Sequence, residues 1–114
     1  MKTYREAAQV EYFHLARQLR RIAAEVLLDS CRPGATITPS GATWAVQTAR
    51  KYALAAHAAE NSGHELCICT NRQDTDNGRS KDAYSRAIDS FEAFCRQHFE
   101  ARDWEAIRSQ ALGW

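Results

Sequence analysis

The 114-residue sequence has no run of apolar residues approaching the roughly twenty that a membrane span needs. It has no basic excess either. The formal charge is +1, whereas proteins that grip nucleic-acid backbones usually carry a clear surplus of Lys and Arg. The charges are also spread out, with six basic and four acidic residues up to Arg32, and five basic and six acidic from Lys81 onward. No nucleophile elbow, phosphate loop or His-Glu-x-x-His is present, so no catalytic activity is expected. Internal repeats and low-complexity tracts are missing too. The polar start, Met1-Lys2-Thr3-Tyr4-Arg5-Glu6, does not read as a signal peptide, and a cytoplasmic location is expected. Four cysteines (Cys31, Cys67, Cys69, Cys95) are then expected as thiols or ligands rather than as disulfides.

The composition is 45% hydrophobic and 25% charged, which is globular and argues against disorder. Periodicity predicts an all-α fold: one domain over residues 1–114, a bundle of three long helices and a short C-terminal one. The first helix should run from Thr3 to Ser30, with Thr3 as cap and Glu6 at the capping-box spacing. Ala8, Tyr12, Leu15, Leu19, Ile22 and Val26 repeat in steps of four and three, a heptad-like seam. Phe13, Ala16, Ala23 and Leu27 widen it, enough for two neighbours or for self-association. Pro33-Gly34 should stop this helix.

A second helix is expected over residues 42–59, capped by Ser40, with Trp44, Tyr52 and Leu54 packed among alanines. Asn61-Ser62-Gly63 should end it. Residues 36–38 and 66–69 alternate in a β-prone way and could pair as a minor two-stranded element. Asn71 to Arg79 reads as a polar loop. Within it, Asp74-Thr75-Asp76-Asn77-Gly78 misses the calcium-loop spacing, because the glycine comes one residue early and Ser85 stands where the last Glu should be. The third helix should cover 81–101 with a stripe of Tyr84, Ala87, Ile88, Phe91, Phe94, Cys95, His98 and Phe99. Asp103 should cap a last helix holding Trp104, Ile107 and Leu112.

Three functional readings follow. The first is a small protein-binding module, an inhibitor or adaptor of a larger complex, of the type phages and mobile elements direct at host defences. Trp104 and Trp114 would be its anchors if exposed, since Trp and Arg dominate binding hot spots, although closing the end of the bundle is their plainer reading. The second is a nucleotide or nucleic-acid binder using Arg17, Arg20 and Arg21 on the first helix with Arg50 and Lys51 on the second. The third is a zinc-stabilised bundle. Cys67, Cys69, Cys95 and His98 offer four soft or borderline ligands, although Cys-x-Cys is not a common zinc spacing. Otherwise no cofactor is expected. Against zinc, Cys95 and His98 also continue the core stripe of their helix.

Overall fold

The structure, a computed structural model, describes residues 4–66 and 72–110, with the backbone alone at 72–77. Four helices follow in order: α1 (Tyr4–Ser30), α2 (Pro39–His64), α3 (Arg72–His98) and α4 (Ala101–Ser109). The fold is all-α, and no strand occurs among the described residues. Residues 36–38, one half of the expected β element, are irregular; the other half falls almost entirely at 67–69, outside the described residues.

α1 ends where expected, and Gly34 makes the turn at a φ of 80°, a conformation that costs a side-chain-bearing residue energy. α2 starts three residues earlier than its pattern suggested. Thr38, not Ser40, is its cap: the Thr38 hydroxyl accepts from the Gly41 N–H at 3.1 Å. Pro39 then fills the first helical position, where a missing N–H costs nothing. At the other end α2 runs straight through Asn61-Ser62-Gly63. Gly63 serves packing rather than a turn, because a Cβ there would meet Phe13 Cε1 at 2.7 Å.

α3 also starts early, and the expected loop is helical from Arg72 onward. It stops at His98 rather than at residue 101. Glu100 is extended and precedes α4, so Asp103 lies in the first turn of α4 instead of capping it.

α1 is the middle element. It packs along α2 on one side and α3 on the other, and α4 closes the end against α2 and α3. Gln9 lies beside Gly63, and Ala23, Ala24 and Leu27 share a cluster with Ala42, Ala45, Val46 and Ala49, so α1 and α2 run antiparallel. Phe91 and Trp104 fill the far end of that cluster, their rings tilted at 6.4 Å between centroids. The result is elongated and thin, 56 × 25 × 17 Å.

The core lies on the other flank of α1 from the one the heptad seam indicated. The buried residues of α1 are Gln9, Phe13, Ala16, Arg20, Ala23, Ala24 and Leu27. Tyr12, Leu15 and Ile22 of the seam are exposed, while Leu19 and Val26 are half-buried at its edge. The cause is on the facing helix. α2 presents Ala42, Ala45, Ala49, Ala56 and Ala59, and alanine against alanine brings two helix axes close. Ala16, Ala23 and Ala24 of α1 turn inward against them, and Phe13 and Leu27 are buried with them. α2 shows a similar sorting, with Ala42, Ala45, Ala49, Ala56 and Ala59 inside and Trp44 and Leu54 outside, although Ala55 and Ala58 are exposed too. In α3 the expected stripe faces the core, with Ala87, Phe91 and Cys95 buried and Tyr84, Ile88 and Phe94 half-buried against them; Phe99, also half-buried, follows the helix, and His98 is exposed.

Candidate binding surface

Among the described residues, the exposed seam of α1 is a candidate surface. Tyr12, Leu15 and Ile22 are 40%, 44% and 38% exposed and follow one line down the helix. Ala8, Glu11 and Gln18 border them, and with Tyr12 and Leu15 they line a shallow depression. Singly exposed apolar residues are ordinary, but a contiguous line of them marks an interaction surface.

A polar knot, buried at Arg20 and Glu60 and exposed at Lys81 and His64, sits behind this face. Arg20, flanked along its helix by Phe13 and Leu27, points inward and donates to the Glu60 carboxylate. Lys81 Nζ donates to the other carboxylate oxygen at 2.9 Å, and His64 Nε2 stands 3.7 Å from it. Burial alone would raise the Glu60 carboxyl, but hydrogen bonds from Lys81 and Arg20, with their positive charges, outweigh it and hold the group below its usual range. Nearby, Gln9 Nε2 donates to the Gly63 carbonyl at 3.0 Å, and Phe13 meets His64 edge-on at 5.1 Å. This knot joins all three long helices. Nothing in it resembles a nucleophile with its base.

The basic group read from the sequence is therefore broken up. Arg20 is buried and paired. Arg17 is half-buried, with Nη2 3.4 Å from His14 Nδ1, and Arg21 is exposed. Arg50 and Lys51 line a different depression on α2, with Gln47, Leu54 and Gln110. Trp104 is not an exposed anchor but a core residue, 2% exposed. Trp114 lies outside the described residues.

Of the four candidate zinc ligands, Cys67 and Cys69 lie outside the described residues, and the other two do not share a setting. Cys95 is fully buried in the core. Burial, with Cys31 nearby, pushes its thiol up to about 12. Burial likewise raises the Cys31 thiol, against a smaller opposing effect of a backbone hydrogen bond. His98 is exposed and stacks on Phe94 at 4.0 Å. Among the described residues no three His, Cys, Asp or Glu side chains gather as a metal site would need.

No helix among the described residues is long and apolar enough to cross a membrane. Comparison with known proteins adds no relative: no family model, no curated protein and no solved structure matches the chain.

Proposed function

We propose that this chain is a protein-binding module, an inhibitor or adaptor of a larger complex, and that it binds through the outer face of α1. The observation that carries the reading is the exposed line of Tyr12, Leu15 and Ile22 on a helix whose core is already filled by its neighbouring face. Apolar anchors spaced one and two turns apart on one face are how an amphipathic helix engages a groove or another helix. Tyr12 adds a rigid ring with a polar tip, a residue type enriched at binding hot spots. The nucleic-acid alternative is weaker on this structure, since Arg20 is committed to Glu60.

The test compares the full chain with its Leu15→Glu/Ile22→Glu variant as immobilised bait in extract of the native host. A protein retained stoichiometrically by the first and lost by the second is the expected result. If the retained proteins are the same for both baits, or nothing is retained, the reading is wrong.

A further inference from the structure

The outer face of α2 carries charge of one sign. No Asp or Glu occurs between Asp29 and Glu60, and Glu60 is buried, so from Pro39 to Ala59 the helix shows solvent no carboxylate of its own. It does show Arg50, half-buried, and Lys51, exposed. Among the described residues neither has an acidic partner, whereas Lys81, Arg96, Arg102 and Arg108 each stand within 3.7 Å of a Glu oxygen.

Apolar surface lies beside these two cations. Trp44, Gln47, Lys51, Leu54 and Ala58 follow one another in steps of three and four, and all are exposed, so they share one face of the helix. Trp44 is 61% and Leu54 54% exposed. Gln47, Arg50, Lys51 and Leu54 also line a depression that Gln110, at the end of α4, borders. We infer that this face docks a short acidic segment of a partner protein, with carboxylates on Arg50 and Lys51 and apolar side chains against Leu54 and Trp44.

The chemistry selects that occupant. Two unpaired cations beside exposed apolar carbon complement a segment in which Asp or Glu flanks a large apolar residue. Gln47 and Gln110 each offer an amide donor and acceptor, the groups that a peptide backbone pairs with. A nucleic-acid backbone draws on a longer line of cations than two. At the start of α2, moreover, Asp103 of α4 shares a depression with Pro39, Ser40 and Thr43, where it would repel phosphate. The ridge from Trp44 to Ala58 is about 21 Å long at the helical rise and one helix wide. That size suits a peptide rather than a folded domain and places the Kd at about 10–100 µM, the weak end of recognition. The strip on α1 takes no part in this docking.

Panning the full chain against a phage-displayed random peptide library supplies the probe. The enriched peptides should carry Asp or Glu around a large apolar residue, and a fluorescein-labelled copy of one should bind in anisotropy titrations with a Kd of about 10–100 µM. Lys51→Glu should weaken that binding about tenfold or more, and Trp44→Ala about threefold or more. Both positions are exposed, so circular dichroism should show unchanged helix content. Raising salt from about 50 mM to about 500 mM should weaken the binding as well. The Leu15→Glu/Ile22→Glu variant should bind the peptide as the wild type does, so loss of the α1 reading leaves this one standing. No enrichment, enriched peptides without acids, or a Lys51→Glu variant that binds within about twofold of wild type would overturn the inference. Peptides whose binding depends on Leu15 and Ile22 instead belong to the α1 strip and overturn it too. A single-stranded oligothymidylate that binds more tightly than any enriched peptide, and is lost in Lys51→Glu, reassigns the face to nucleic acid and overturns it likewise.

Discussion

Two lines of residues descend α1 side by side. Phe13, Ala16, Arg20, Ala23 and Leu27 are buried, while one position round the helix Tyr12, Leu15 and Ile22 stand in water. By hydrophobicity alone the second line is the better core, since the first contains two alanines and an arginine. It lost because burial depends on what the facing helix offers as well as on the residue itself. α2 offers alanines, and small side chains facing one another on both helices leave room for the backbones to approach. The inner line could then accept Arg20 because the Glu60 carboxylate pairs with it.

If that account is right, the inner line should be costly to alter and the outer line cheap. The largest effect is expected at Glu60→Ala, which leaves Arg20 as an uncompensated buried charge and should destabilise the fold by about 3–5 kcal/mol in urea unfolding. The same variant carries a pH signature. Glu60 is held below its normal range, so its contribution is present above the unfolded carboxylate value of about 4.3 and is lost as pH falls below it. The stability curve of the variant should lack that acid limb. Next comes Gly63→Ala. Its Cβ would intrude on the buried Phe13 ring, and thermal melts should show a loss of about 1–3 kcal/mol. The smallest effect belongs to the outer line: Leu15→Ser should change monomer stability by no more than about 0.5 kcal/mol. A loss of several kcal/mol at Leu15 in dilute monomer would erase the distinction between the two lines.

The helices themselves were legible. α1 and α4 lie close to where periodicity put them, and the stripe of α3 was read correctly through Ala87, Phe91 and Cys95. What the sequence hid was phase. Neighbouring apolar lines on one helix differ by about 100° of rotation, and only the facing helix chooses between them. The start of α3 was missed because residues 72–79 are polar and contain a glycine, a composition that suits the start of a helix as well as a loop. The far end of α2 was missed because a glycine serving close packing looks the same as one serving a turn. In the candidate site, Arg20 read as part of a basic cluster because Glu60, its partner, stands forty positions away along the chain. Its spacing of seven from both Phe13 and Leu27 was the available clue to burial.

The alanine seam between α1 and α2 also bears on how this sequence can drift. Positions 16, 23, 42, 45, 49 and 56 all carry alanine with no exposed surface. In a saturation library selected for folding, these sites should accept little beyond glycine and serine, even though no side chain there carries any chemistry. Kinship would then be written in side-chain volume more than in residue identity. The trace to look for in distant relatives is two small-residue stripes on antiparallel helices, with most of the remaining letters replaced.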